Sequence, residues 1–278
     1  MHTHRFGSAP YEVSIIGQGT WKLDESDRAA AVAALRCGID DGMTHIDTAE
    51  MYGDAELVIA DAMKGRRRDG LFLVSKVLPQ NASRTGVVAA CERSLKRLGT
   101  DYLDCYLLHW RGRHPLAATI AGFDDLVRAG KIRSWGVSNF DVTDLDEALA
   151  IAGPDRIACN QVLYHLGERS IEHAVLPWCE HNGVAVVAYS PFGQSAFPTA
   201  NTPGGRLLAE IAGAHDATPR QVALAWLVRR SFVIPKASSA AHAAENAGAG
   251  NIELSNDEVK RIDRAFPRGA KPRGLPML

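Results

Sequence analysis

The chain has no run approaching the ~20 apolar residues that a membrane-spanning helix needs. Its first residues, Met1-His2-Thr3-His4-Arg5, lack the apolar stretch of a secretory signal. Charge is almost balanced, with a formal net charge of -1 at pH 7, so the electrostatic footprint of a nucleic-acid binder or a polybasic membrane protein is missing. The one dense basic run, Arg66-Arg67-Arg68, precedes Asp69-Gly70 and reads as a solvated turn. No C-x-x-C pair occurs. Cys37, Cys91, Cys105, Cys159 and Cys179 are odd in number and scattered, a pattern of reduced, mostly buried thiols. There is no Tyr-x-x-x-Lys pair, G-x-S-x-G elbow, H-E-x-x-H or P-loop, and no metal site is expected. Together these absences imply a cytoplasmic protein without membrane or nucleic-acid partners, with a monomer as the expected state.

What is present is alternation. Short apolar runs, Ser14–Ile16, Thr44–Ile46, Leu71–Lys76, Asp101–Leu108, Ile132–Val137, Ile157–Gln161, Val184–Tyr189 and Phe232–Pro235, predict eight strands. Most are unbroken rather than alternating, as in a parallel sheet buried on both faces. Amphipathic stretches separate them. Asp24–Asp41 stops at Gly42, Ser83–Leu98 at Gly99 and Leu116–Ala129 at Gly130, while Thr218–Arg230 opens on a Thr-Pro cap. Eight strand–helix units in 278 residues, with no break in composition, predict a single (β/α)8 (TIM) barrel domain over 1–278. In that fold the active site lies at the C-terminal ends of the strands.

Four ionisable residues fall at or just beyond predicted strand ends: Asp47, Tyr52, Lys76 and His109. Each has an ordinary reading alone, as an Asx-turn, a surface tyrosine, a snorkelling lysine or a core histidine. Together they form a proton-delivery device. A phenol with an ordinary pKa of about 10 is a poor acid–base catalyst at neutral pH. An ammonium beside it is expected to lower that pKa, and a carboxylate would keep the ammonium charged and oriented. A neighbouring imidazole can polarise a bound carbonyl.

None of these side chains can supply electrons, so reduction implies a bound hydride donor. Gly17-Gln18-Gly19 lacks the third glycine of a Rossmann fingerprint, because Lys22 stands there. Barrels often bind phosphate at the loops after strands seven and eight. Here these read Tyr189-Ser190-Pro191-Phe192-Gly193 and Ile234-Pro235-Lys236-Ala237-Ser238-Ser239. The first offers a ring, a hydroxyl and a glycine; the second offers a lysine, hydroxyls and a helix start.

These motifs resemble those of the aldo-keto reductases, NAD(P)H-dependent (β/α)8 enzymes. The likeness runs from about Ile15 to Asn246: Gly19-Thr20-Trp21, His45-Ile46-Asp47-Thr48-Ala49 with Tyr52-Gly53, and Val74-Ser75-Lys76. It continues through Leu107-Leu108-His109-Trp110, Gly136-Val137-Ser138-Asn139-Phe140, Asn160-Gln161 and Ile234-Pro235-Lys236. The chain is similar to short bacterial members of methylglyoxal-reductase type. The resemblance implies Tyr52 as general acid, supported by Asp47, Lys76 and His109. It implies Ser138, Asn139 and Gln161 on the nicotinamide carboxamide, and Tyr189 stacked on the ring. Ser190, Phe192 and Gly193 would surround the pyrophosphate. Lys236, with Ser238, Ser239 and His242, would face the 2′-phosphate of NADPH, and Glu245 and Asn246 the adenine side. Gly19, Thr20 and Trp21 join the cofactor set, and Trp21 and Trp110 wall the substrate pocket.

Two positions depart from the family pattern. Ala237 stands where a hydroxyl is usual, and His242 where an arginine is usual. Both weaken the expected phosphate grip, so NADPH is the expected cofactor with NADH as a possible second. The loop after Trp110 and the tail beyond Asp263 are short. That predicts a small carbonyl substrate held chiefly by Trp21, Tyr52, His109 and Trp110, with Arg111 and Arg113 near the mouth. Two rivals stand beside the reductase: a Schiff-base aldolase using Lys76, and a cofactor-binding regulatory subunit with little turnover.

Overall fold

The computed structural model describes residues 1–278. An antiparallel hairpin, β1 (Thr3–Arg5) and β2 (Glu12–Ser14), precedes the barrel. The barrel strands are β3 (Gln18–Gly19), β4 (His45–Asp47), β5 (Phe72–Val77), β6 (Leu103–Leu108), β7 (Ile132–Ser138), β8 (Ile157–Leu163), β9 (Ala185–Tyr189) and β10 (Phe232–Val233). Each pairs in parallel with its sequence neighbour, giving an eight-stranded sheet in the order β3 to β10. Parallel bridges Ile16–Val233 and Gly19–Lys236 join the two edges and close the ring. Closure matters because it leaves no open edge of unpaired backbone groups.

Ten helices accompany the strands. They are α1 (Arg28–Asp40), α2 (Ala55–Met63), α3 (Arg84–Leu98), α4 (Leu116–Arg128), α5 (Val142–Ala152), α6 (Val175–His181), α7 (Pro203–Ala214), α8 (Pro219–Leu227), α9 (Ala240–Gly248) and α10 (Asn256–Ala265). The local signals act as their chemistry demands. Ser83 caps α3 by accepting from the Gly86 amide, and Gly99 ends that helix at φ 65. Thr218 and Gln221 form a reciprocal capping box on α8, with Pro219 at its first turn. The simple one-helix-per-strand pattern is exceeded because α7 and α8 both lie between β9 and β10, and α10 follows α9.

The first predicted strand, Ser14–Ile16, is misplaced. Ser14 pairs with Thr3 in the hairpin, and the barrel edge starts only with the Ile16 bridge and β3. The reason is pairing, not propensity: the β-branched run suits either partner. The hairpin seals the N-terminal end of the barrel. Phe6, fully buried, packs on His45, Phe72 and Phe232, the first residues of β4, β5 and β10, with ring centroids 5.7, 4.8 and 4.9 Å away. Gly7 makes the turn at φ 56, where a Cβ would lie 2.0 Å from the Ala158 carbonyl oxygen. A single cluster of 71 buried residues forms the core.

Candidate functional site

The C-terminal strand ends open onto a cleft of about 440 Å³. Asp47 ends β4, and Lys76 lies in β5 with no exposed surface. Lys76 Nζ donates to Asp47 Oδ1 at 2.5 Å and to the Thr48 carbonyl at 2.8 Å. Gln161 Nε2 donates to Asp47 Oδ2 at 2.7 Å, and Thr20 Oγ1 donates to the Asp47 carbonyl at 2.9 Å. Burial alone would discharge the lysine. The Asp47 carboxylate and the Tyr52 oxygen outweigh that penalty and hold its ammonium above the ordinary lysine range. Both Asp47 oxygens are therefore engaged, which a buried carboxylate requires.

Tyr52 stands beyond β4 at the cleft wall. Its hydroxyl is 3.4 Å from His109 Nε2, and Lys76 Nζ lies 5.1 Å from its ring centroid. The lowering of the Tyr52 pKa expected from Lys76 does not arise. Burial raises the Tyr52 pKa above the ordinary phenol value, and the pull of Lys76 does not reverse it. The phenol is thus fully protonated at neutral pH, the state a proton donor needs. His109 follows β6 and is 7% exposed; burial, aided by the Lys76 charge, pushes its pKa down to about 3. A neutral imidazole offers one N–H and cannot compete as a charged acid.

A register shift builds the opposite wall. Between Trp135 and Val137 the β7–β8 pairing slips, so Ser138 lies opposite Gln161 rather than Asn160. One residue of slip exchanges the two faces of a strand, and here it places Gln161 on Asp47 across the barrel. Ser138 Oγ donates to the Gln161 carbonyl at 2.9 Å. Asn139 adopts φ 61, a left-handed conformation that asparagine tolerates. Its Nδ2 donates to the His109 carbonyl and to Ser138 Oγ, both at 3.1 Å, and its Oδ1 accepts from the Tyr189 hydroxyl at 3.0 Å. Burial pushes the Tyr189 pKa up to about 12, so that hydroxyl remains a donor.

The cleft brings together Gly19, Thr20, Trp21, Asp47, Tyr52, His109, Trp110, Ser138, Asn139, Gln161, Tyr189, Ser190, Phe192 and Lys236. Lys76 stands behind Asp47. Gly193, Ser238, Ser239, His242, Glu245 and Asn246 do not line it. Ser239 caps α9 and accepts from the His242 amide at 3.3 Å, while His242 itself is exposed. The Glu245 carboxylate accepts from Thr218 Oγ1 at 2.8 Å, tying α9 to α8. Arg111 does not lend free charge to the mouth: it is paired with Glu147 and Asp144 on α5.

Lys22, Met51, Gln194, Arg220, Met277 and Leu278 also line the cleft and are not signalled by the sequence; Pro191 and Ile234 join them from the two predicted loops. The tail reaches the site because its path is pinned. Arg169 Nη1 donates to the Phe266 carbonyl at 2.6 Å, the His173 ring meets the Gly269 carbonyl at 3.2 Å, and Leu275 packs against the core. Short length did not keep it from the cleft, so the wall is more apolar than expected. No local periodicity announces such a tail.

Could this cleft hold a dinucleotide? Gly193 answers in part. It turns at φ 63, and a Cβ there would crowd the His165 ring at 3.0 Å, so glycine is favoured where this loop turns. Aromatic, hydroxyl and cationic side chains line the same cleft, and Ser138, Asn139 and Tyr189 are held there by hydrogen bonds to one another. The residues fit a nicotinamide dinucleotide.

A profile of the aldo/keto reductase family matches residues 15–266. The chain is 46% identical to methylglyoxal reductase YeaE of Escherichia coli, over 94% of this chain and 93% of that protein. It is 34% identical to glyoxal reductase of Bacillus subtilis, over 91% and 88% of the two chains. An aldo-keto reductase from Klebsiella pneumoniae, crystallised with NADPH, superimposes with a TM-score of 0.92 at 45% identity and covers 100% of this chain and 99% of its own.

Proposed function

The chain belongs to the aldo/keto reductase family, and we propose that it reduces small aldehydes and ketones, α-oxoaldehydes such as methylglyoxal among them, to alcohols with NADPH. The observation that carries this reading is the buried Lys76–Asp47 ion pair set behind a protonated Tyr52 and a neutral His109 at one cleft wall. A bound dinucleotide would supply the hydride. His109 offers an N–H to the carbonyl oxygen, and Tyr52 gives that oxygen its proton. The ammonium of Lys76 stabilises the phenolate left behind, and Asp47 holds the ammonium in place. Ser138, Asn139 and Gln161 would hold the carboxamide, Tyr189 the ring, and Ser190, Phe192 and Gly193 the pyrophosphate. Lys236, Ser238, Ser239, His242, Glu245 and Asn246 would serve the adenosine end; Gly19, Thr20, Trp21 and Trp110 would close the reactive end. The whole chain, 1–278, works as one barrel domain and as a cytoplasmic monomer.

An amine that is buried, ion-paired and raised in pKa is a poor nucleophile, which disfavours Schiff-base chemistry at Lys76. The test is steady-state loss of NADPH absorbance over methylglyoxal, glyoxal and small aromatic aldehydes. Turnover of at least one with the alcohol as product is expected. Tight NADPH binding without turnover across the panel would overturn the reading in favour of a regulatory subunit.

A further inference from the structure

The residues assigned so far leave two cations in the cleft without a role, Lys22 and Arg220, and only Arg220 is held against the loop after β9. Arg220, in the first turn of α8, is exposed, and its guanidinium makes no ion pair or hydrogen bond with the rest of the chain. Its guanidinium is nonetheless held. It lies 5.1 Å from the Phe192 ring centroid and 5.8 Å from that of Phe197, two rings packed edge to face at 5.8 Å. Aromatic faces orient a guanidinium without using its N–H donors, which stay free for an anion.

The surroundings say what kind of anion. Asp47 is the only acidic side chain lining the cleft, and Lys76 neutralises it. Lys22, Lys236 and Arg220 line the same cleft, and none has a carboxylate partner. Position is equally informative. The first turn of α8 contacts the loop after β9 through Phe192 and Phe197, and α9 through the Thr218–Glu245 bond. Arg220 therefore stands between the loop that would wrap the pyrophosphate and the helix that would meet the adenosine end. His242, at the position where an arginine is usual, is exposed and outside the cleft lining.

We propose that Arg220 is a phosphate-binding residue of the dinucleotide site, a guanidinium delivered from α8 that replaces the one missing at position 242. This rests on the dinucleotide reading above. It makes cofactor affinity depend on a residue outside the loops after β9 and β10.

The experiment is fluorescence titration of NADPH and NADH into wild type, Arg220→Met and Arg220→Lys, at low and high ionic strength, with thermal melts to verify folding. Arg220→Met keeps most of the aromatic packing and removes the charge. It should weaken NADPH binding about tenfold at low salt, Arg220→Lys should recover part of that, and the gap should shrink as salt screens the contact. An equal loss for both cofactors places the guanidinium on the pyrophosphate; a loss confined to NADPH places it on the 2′-phosphate. Either result supports a phosphate contact. A change under twofold for Arg220→Met overturns the proposal, as does a salt-independent loss that Arg220→Lys fails to relieve, which would mean aromatic packing alone. Wild type that binds neither dinucleotide would instead overturn the dinucleotide reading.

Discussion

The two ends of this barrel each hold a buried histidine, and burial pushes both pKa values down to about 3, with the Lys76 charge adding to the effect. At the closed end, His45 sits among Phe6, Phe72 and Phe232, and neither ring nitrogen has a hydrogen-bond partner. At the open end, His109 faces Tyr52 at 3.4 Å and stacks obliquely on Trp110 at 4.8 Å. A depressed pKa alone therefore does not mark a catalytic group. What separates the two is access: one imidazole is sealed beneath the hairpin, the other borders a cleft with the Tyr52 phenol at its side.

The comparison breaks most sharply at its extremes. Phe6→Ala opens a cavity in the floor and should cost ~3–5 kcal/mol of stability, read by denaturant unfolding, while kcat at a temperature where the protein is folded stays within about twofold. Tyr52→Phe should do the reverse. Expected is a fall in kcat for aldehyde reduction of at least ~100-fold, with NADPH affinity and melting temperature nearly unchanged. If Tyr52→Phe kept most of its kcat, with chemistry shown to be rate-limiting, the open end would lose its claim to be the reactive one.

Lys76 and Asp47 form the next test, because they lie buried behind the cleft and are proposed to act together there. Lys76→Met and Asp47→Asn should each lower kcat/KM, and the double variant should fall short of the summed losses by ~1 kcal/mol or more. Full additivity would mean that the ion pair does not act as a unit.

His45→Leu sharpens the contrast between the histidines. Removing two unpartnered nitrogens from an apolar floor should change stability at neutral pH by less than ~1 kcal/mol. The unfolded chain takes up a proton on each histidine below about pH 6.5, whereas the folded chain resists until about pH 3. Stability from neutral burial is thus complete above about pH 6.5 and is lost as pH falls from there toward 3. His45→Leu should move the acid-unfolding midpoint to lower pH. An unmoved midpoint would show that His45 is not part of that linkage.

The smallest effect belongs to the adenosine end. His242→Arg should tighten NADPH up to about fivefold, the scale of an exposed ion pair, and NADH less. Equal changes for both cofactors would place position 242 away from the 2′-phosphate.

Much of the mouth was legible in the sequence because strand ends have a local signature. Asp47, Lys76 and His109 each close an apolar run, and the structure places all three within one site with Tyr52. The pairing of Lys76 with Asp47 was legible, but the direction of the Tyr52 shift was not, since burial depends on the packed walls around the phenol. The first strand was misread because Val13-Ser14-Ile15-Ile16 suits a hairpin and a barrel edge equally well. The tail was misjudged because length says nothing of the anchors at Arg169 and His173.

The sequence by itself determined the alternation of strands and helices, their caps and the residue types available at each strand end. These depend on neighbours a few residues apart, where period and propensity operate. Tertiary structure decided the rest: the Phe6 plug, the one-residue slip that brings Gln161 to Asp47, the apolar tail over the cleft and the placing of Arg220 on Phe192 and Phe197. Each of these joins segments from about 25 to more than 100 residues apart. No periodicity connects such segments; closure of the ring and packing of its layers put them in contact.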